Sequence, residues 1–595
     1  MIVTVKHIFA LLTGRQRTGF ILLQIASFVT ALIQVTGVAS IAPFIALMAD
    51  PSLIHRQPLL RGIYVAVGSS SDVGFLTIVA VVIMLLILIS NAAAAFTTWL
   101  MFVFSLRIGV ELQSSIFRRY LLLDYAYFGA TRSSLVTSLL TQEVPRYVYM
   151  VVQPFLTLTS QSLVVLIIVG GLLYLDPGLA LLATAVVVGS YGLVYWLMKH
   201  RLVQHGQVIY DANSERVRIL SESLLGIKEV KLLGLVGRYA EQFNQVNRRG
   251  LGSHAFIGLS ADMPRFVIET IAFCALLLLA IILLRKSSDS SQVVSVLSLY
   301  AMAGFKLLPA AQAVYKATAQ IKANGDVVNA FHDDVIAGRR MPQSLPSPSS
   351  SSGLQGEIQL EHVTFRYPDA QVDALTDVSL RIAPNSFVAL VGPSGSGKST
   401  LADLLLGLIE PTTGSVHIGG QPLCDANRGA WCRSIGYVPQ DIFVINDTIR
   451  SNIAFGVSEH LVDDQRVIES AQLANLASVV AGLPGNYDFV VGDRGSRLSG
   501  GQRQRLGIAR ALYHSKDVLV LDEATSALDS ESEREIASTV ERLRSVKTII
   551  VVAHRLTSIR AADAVVFLEA GRVQAVDTFD RLVATSRRFA EFVGN

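Results

Sequence analysis

Residues 392–400 read Gly-Pro-Ser-Gly-Ser-Gly-Lys-Ser-Thr, a match to the pattern G-x-x-x-x-G-K-[ST]. Such a loop turns successive backbone N–H groups toward phosphate oxygens. Phe387–Val391 ahead of it reads as a buried strand, and a helix is expected to begin near Ser399, which is the context the pattern needs. Gly392, Ser394, Gly395, Gly397, Lys398, Ser399 and Thr400 then form a nucleotide cradle. Lys398 is expected to reach the β- and γ-phosphates and Ser399 to ligate Mg²⁺. Farther on, Val518–Leu521 is a run of four apolar residues that ends in Asp522 and Glu523. Asp522 suits the Mg²⁺ shell, and Glu523 suits the base that polarises an attacking water. Between these segments Leu498–Gln502 reads Leu-Ser-Gly-Gly-Gln. The chemistry implied is hydrolysis of ATP.

Those residues need a scaffold, and the chain supplies two kinds. Of its 595 residues 51% are hydrophobic and 16% charged, well below the roughly 25% charge of an ordinary soluble domain. The excess apolarity lies before about residue 320. After it, short β-branched strands alternate with helices, as in a nucleotide-binding α/β domain. Between them Gly338–Gly356 is rich in Pro and Ser and reads as a linker. The expected division is a cytoplasmic N-terminal segment at 1–18, a six-helix transmembrane domain at 19–337, the linker at 338–356 and the nucleotide-binding domain at 357–595. A net charge of +4 with no separate basic cluster gives no reason to expect a nucleic-acid partner. Cys274, Cys424 and Cys432 have no zinc-type spacing. No cleavable signal peptide is evident, so the first apolar stretch reads as an uncleaved anchor.

Spanning about 30 Å of hydrocarbon takes about 20 apolar residues. Candidates lie at 19–47, 74–104, 148–175, 178–198, 265–284 and 292–314, with Asp176-Pro177-Gly178 as a tight turn between the third and fourth. Arg107, Arg118, Arg119, Arg132 and Arg146 follow the second span. Lys199, Arg201, Arg216, Arg218, Lys228, Lys231, Arg238, Arg248 and Arg249 follow the fourth. The opposite loops carry only Arg56, Arg61, Arg285 and Lys286. Positive-inside reasoning places the two long loops, and the ATP-binding half with them, in the cytosol. Glu111–Leu123 and Ser214–Leu233 read as amphipathic continuations of the spans. Tyr125–Phe128 and Gly226–Val230 are the candidate tips that transmit force. Pro58–Gly68 is too short to span and suits the outer membrane surface.

Two cations fall inside spans. Lys306 lies about fourteen residues into the last one, a depth of roughly 20 Å, and Arg265 opens the fifth with Glu269 one turn on. Intramembrane ionisable residues mark a pathway or binding site. The plainer readings are an i,i+4 pair of Arg265 with Glu269 and snorkelling of Lys306 to the inner headgroups.

Taken together, the C-terminal motifs resemble the ATP-binding cassette family over about 357–595. The resemblance implies that Tyr367 stacks on adenine and that Gln440 senses the γ-phosphate and joins the Mg²⁺ shell. It implies that Ser499, Gly500, Gly501 and Gln502 form the signature that closes the ATP site of a second subunit. It also implies that Asp529 belongs to the D-loop and that His554 is the switch histidine. Six spans followed by one cassette extend the resemblance to exporter half-transporters over the whole chain. One complete cassette per chain then implies a homodimer with two working sites in the plasma (inner) membrane. Ile41–Leu47, Pro264-Arg265 and Lys306-Leu307-Leu308-Pro309 are similar to bacterial lipid-linked oligosaccharide flippases. That likeness implies a polyprenyl-pyrophosphate-linked oligosaccharide or related glycolipid as cargo, with Arg265 and Lys306 meeting its anionic group. A multidrug or simple-lipid exporter is the alternative.

Overall fold

The computed structural model describes residues 6, 9, 12–328 and 354–594, apart from 50, 69–70, 124, 127–132, 287–289, 369, 515–516, 523–537, 545 and 554–558. The chain divides into two compact units: Met1–Leu122 with Arg132–Gln343, and Leu123–Thr131 with Ser344–Asn595. The linker 338–356 lies almost wholly outside the described residues.

The first unit is helical. Its main elements are α1 (Gly14–Ala39), α2 (Ile41–Ala49), α3 (Pro58–Val67), α4 (Asp72–Leu121), α5 (Gln153–Leu175) and α6 (Pro177–Leu225). They continue with α7 (Ile227–Leu232), α8 (Val236–Asp262), α9 (Pro264–Lys286) and α10 (Ser290–Ala323). Among the described residues, six helical stretches are long and apolar enough to cross a membrane. At 50 and 49 residues, α4 and α6 are about 75 Å long, far beyond a hydrocarbon core of about 30 Å. The cytosolic loops expected from the sequence are thus largely helix. Asp176 starts α6 by accepting from the N–H groups of Gly178 and Leu179 at 3.1 Å each, an N-cap with proline at the first helical position. Pro58 likewise opens α3, and Gly68 closes it at φ +68°. Rather than an irregular loop, Pro58–Val67 forms a short amphipathic helix whose Tyr64 ring packs on Phe75 at 5.3 Å.

Arg146, counted above among the charges of the cytosolic segments, is buried with Glu143, Asn213 and Asn324. Its Nε donates to Asn324 Oδ1 at 2.6 Å, Nη1 to Glu143 Oε2 at 3.2 Å and Nη2 to the Gly206 carbonyl at 3.0 Å. Asn213 Nδ2 donates to the other Glu143 oxygen at 2.7 Å. The knot ties the segment before α5 to α6 and to the end of α10. Two π-helical turns, Leu139–Glu143 and Val148–Val152, flank Arg146. Gly206 lets α6 approach so closely that a Cβ there would stand 1.7 Å from the Ala323 carbonyl oxygen. Arg146→Met would leave the Glu143 carboxylate buried beside an apolar chain. Breaking one partner of such a pair costs about 3–5 kcal/mol, so thermal unfolding in detergent is expected to fall markedly. A melting temperature equal to that of the wild type would mean that water already solvates the knot.

The second unit is α/β. A six-stranded sheet has the order β10-β9-β3-β8-β7-β6, and a four-stranded antiparallel sheet has the order β2-β1-β4-β5. The strands are β1 (Ile358–Phe365), β2 (Leu375–Ile382), β3 (Phe387–Val391), β4 (Thr413–Ile418), β5 (Gln421–Pro422) and β6 (Ile435–Val438). They continue with β7 (Val518–Asp522), β8 (Thr548–Val552), β9 (Ala564–Glu569) and β10 (Arg572–Asp577). Strands β6, β7, β8, β3 and β9 run parallel. Side chains alternate across this sheet into two cores. Val388, Leu390, Val518, Val520 and Ile550 pack with Leu401 and Leu404 of α11 (Lys398–Leu406). Ala389, Leu519, Leu521 and Ile549 pack with Leu506 and Ile508 of α12 (Gly500–His514). Burial on both faces explains why these strands are continuous apolar runs in the sequence.

Candidate functional site

The phosphate-binding loop leaves β3 at Gly392 and enters α11 at Lys398. Two glycines are dictated by their surroundings. Gly392 has φ +153° and a Cβ there would meet the Leu568 carbonyl oxygen at 2.1 Å; at Gly397, φ +99°, it would meet that of Ala374 at 2.8 Å. Gly395 is also left-handed, at φ +76°. The cradle is therefore lined by backbone, and its N–H groups stand where a phosphate can approach. Lys398 is buried, and its ammonium bends over the loop to donate to the carbonyls of Gly392 at 2.8 Å and Pro393 at 2.9 Å. Ser396 Oγ is buried with no hydrogen-bond partner among the described residues. Loop, lysine and unsatisfied hydroxyl all fit a bound triphosphate.

The parallel strands bring the other groups to the same edge. Leu390 pairs with Val552, and Val552 with Asp522, so β3, β8 and β7 finish in one row beside the loop. Val438 pairs with Leu521, and Gln440 leaves β6 two residues later. Ligands of open α/β sheets gather at these carboxyl ends. Ser399 and Asp522 supply the hard oxygen donors that suit Mg²⁺. Tyr367 lies edge-on to Phe365 at 4.9 Å, and its hydroxyl is 3.2 Å from Thr400 Oγ1. Glu523, Asp529 and His554 lie outside the described residues, although Glu523 follows Asp522 directly and His554 follows Ala553.

The signature is a capping box. Ser499 Oγ accepts from the Gln502 N–H at 3.2 Å, and Gln502 Oε1 accepts from the Ser499 N–H at 2.9 Å. The turn presents the N-terminus of α12, with Ser499 and Gly500 exposed. The S-x-x-Q spacing is the signal for this cap, and the sequence reading did not use it.

Two neighbours of Asp522 were also missed. Burial and the Asp522 carboxylate push Asp403 up to about 6. Burial, followed by Asp522 and Asp403, raises the Tyr437 phenol, which hydrogen-bonds Asp522. The segment Leu123–Thr131 belongs to this unit too: Ala126 packs on the core beside Tyr367. Tyr125 is raised by burial, then by Asp403, Tyr367 and Asp522.

The two membrane cations differ. Arg265 Nε donates to Glu269 Oε1 at 2.6 Å on an exposed face. Lys306 has no acidic partner among the described residues and lines a cavity of about 120 Å³ with Gln34, Val164, Ile168, Leu172 and Met302. Arg265 is not among the residues lining it.

Comparison with known proteins agrees with this arrangement. Residues 375–526 match the model of the ABC transporter family, and 53–305 match that of the ABC transporter transmembrane region. The chain is 31% identical to an ATP-dependent lipid A-core flippase of Burkholderia orbicola, over 90% of this chain and 88% of the relative. A protein of the same description from Ralstonia nicotianae is 32% identical, over 82% of each chain. The structure of a bacterial Atm1-family ABC exporter with ATP bound superposes with TM-score 0.77 at 24% identity, covering 98% of both chains. With six helices, among the described residues, long and apolar enough to cross a membrane and an ATP-hydrolysing cassette in one polypeptide, the chain belongs to the ABC transporter family as a half-transporter.

Proposed function

We propose that the protein is a homodimeric flippase of the inner membrane, with its cassettes in the cytoplasm. It moves a lipid-linked saccharide or related glycolipid bearing an anionic group from the inner to the outer leaflet. The observation that carries this reading is Lys306, an intramembrane ammonium without an acidic partner among the described residues, beside an apolar cavity. The description of the relatives as lipid A-core flippases supports a glycolipid cargo. Exposed Ser499 and Gly500 support a site completed by a second copy. So do Leu224, Leu225, Ile227, Leu232 and Leu233, all exposed at the tip formed by α6 and α7, an apolar patch suited to docking on a partner cassette.

In that dimer Lys398 and the loop N–H groups hold the phosphates, while Ser399, Asp522 and Gln440 are the residues that would hold Mg²⁺. Such an ion would supply neutralisation of the phosphate charge. Glu523 takes the proton of the attacking water, and His554 keeps the water and γ-phosphate aligned. Tyr367 positions the adenine, Asp529 belongs by resemblance to the D-loop, and the α12 N-terminus of one copy faces the phosphates of the other.

The test is ATP-dependent flipping in proteoliposomes of a labelled polyprenyl-pyrophosphate oligosaccharide beside a lipid A-core glycolipid. Transport of either is expected in the wild type; transport of neither, with ATPase intact, would overturn the glycolipid reading. The Arg265–Glu269 pair favours a second reading, export of a drug or simple lipid, because it removes one cation from the anion site. Lys306→Ala separates the two. Transport of an anionic cargo is expected to fall about tenfold, the worth of one charge-assisted hydrogen bond, with basal ATPase retained. Equal loss of both activities would assign Lys306 a structural role.

A further inference from the structure

Strand β7 and helix α11 bring more to the ATP site than Asp522 and Ser399. On β7, Val518, Val520 and Asp522 share one face, the face on which Val518 and Val520 pack against Leu401 and Leu404 of α11. In the parallel β6–β7 pair Tyr437 lies opposite Val520. Its neighbours Gly436 and Val438 pair with Leu519 and Leu521, and Val438, Leu519 and Leu521 belong to the other core. Tyr437 therefore points to the α11 face as well. On α11, Asp403 comes four residues after Ser399, one turn along the same side of the helix. Asp403, Tyr437 and Asp522 thus converge beneath the loop, at the ends of the strands. The Tyr437 phenol donates to the Asp522 carboxylate, and Asp403 lies within electrostatic reach of both. Asp403 has no ion-pair partner among the described residues.

We propose that Tyr437 and Asp403 are positioning residues for the divalent ion held by Ser399 and Asp522. The tyrosine hydrogen bond fixes the Asp522 carboxylate in the orientation that faces the ion. The Asp403 carboxylate adds a second negative charge one helical turn behind Ser399 and so strengthens the field at the ion. Tyr125 lies within electrostatic reach of Asp403 and Asp522 as well. This inference rests on the reading of Ser399 and Asp522 as the Mg²⁺ ligands.

The experiment measures how much Mg²⁺ tightens binding of a non-hydrolysable ATP analogue to the full-length protein, compared with binding in EDTA. Tyr437→Phe and Asp403→Asn each change a single atom or group and are expected to retain the fold, with melting temperature as the check. Each should reduce the Mg²⁺-dependent gain about tenfold, as loss of an outer partner of a metal ligand does, with affinity in EDTA unchanged. Asp403→Glu should keep most of the gain. In an Asp522→Asn background, Tyr437→Phe should add nothing. A wild-type gain in both single variants, or an equal loss with and without metal, would overturn the proposal. If Asp522→Asn itself leaves the gain intact, the metal-site reading falls and this inference falls with it.

Discussion

Glu523→Gln is expected to bind ATP with near wild-type affinity and to hydrolyse it at least about 10²-fold more slowly, the loss that accompanies removal of a general base. Strand β7 is paired with β6 as far as Leu521 and with β8 as far as Asp522, so the end of the strand is held at Asp522. Glu523 is the next residue in the sequence, and β3, β8 and β7 end together at the edge where the phosphate loop begins. A carboxylate there can take a proton from water, whereas an amide of the same shape can only hydrogen-bond to it. Binding and chemistry should therefore separate: nucleotide is retained, and the protein accumulates in its ATP-bound form. Steady-state phosphate release with parallel nucleotide binding is the measurement. Near-normal turnover would remove Glu523 from the mechanism and leave Asp522 or His554 to be tested in its place.

The second large effect comes from mixing damaged subunits. Lys398→Ala removes the ammonium that bends over the loop, and Ser499→Ala removes the cap that orients the α12 N-terminus. In the proposed homodimer each parent carries two faulty sites, and Lys398→Ala alone should lose at least about 10²-fold in turnover, as removal of a preorganised electrostatic group does. In a mixed dimer, the sound loop of one copy meets the sound signature of the other. Random pairing of equal amounts leaves about a quarter of the sites whole. ATP-analogue binding in a co-reconstituted mixture should rise to that level above either parent. A mixture that behaves as the average of its parents would mean that each site is built within one chain.

The parts of this protein legible in the sequence are those whose physics is local. A strand, a glycine loop and the helix after it are contiguous, so Gly392–Thr400 declares both its conformation and its ligand. The same holds for the apolar run that ends in Asp522-Glu523. Composition alone reveals membrane spans, because an unsatisfied backbone in hydrocarbon leaves few other options. The Arg265–Glu269 pair was open to sequence reasoning as well, since one helical turn separates the partners.

Arg146 shows where such reasoning stops. Its partners, Glu143, Gly206 and Asn324, are 3, 60 and 178 positions away, and only the packing of three helices brings them together. Counting its charge for topology was sound in general, yet the side chain is buried. The same limit applies to Asp403, Tyr437 and Asp522, which are dispersed over more than a hundred residues and meet only because two strands and a helix share one face of a sheet. By itself the sequence determined a membrane-spanning half joined to an ATP-hydrolysing cassette, since periodicity, composition and contiguous motifs are properties of short stretches of chain. Only the tertiary structure decided which charges are paired, which are buried and which remain to meet a ligand. Those outcomes depend on distances between segments far apart in the chain, and burial and packing set those distances.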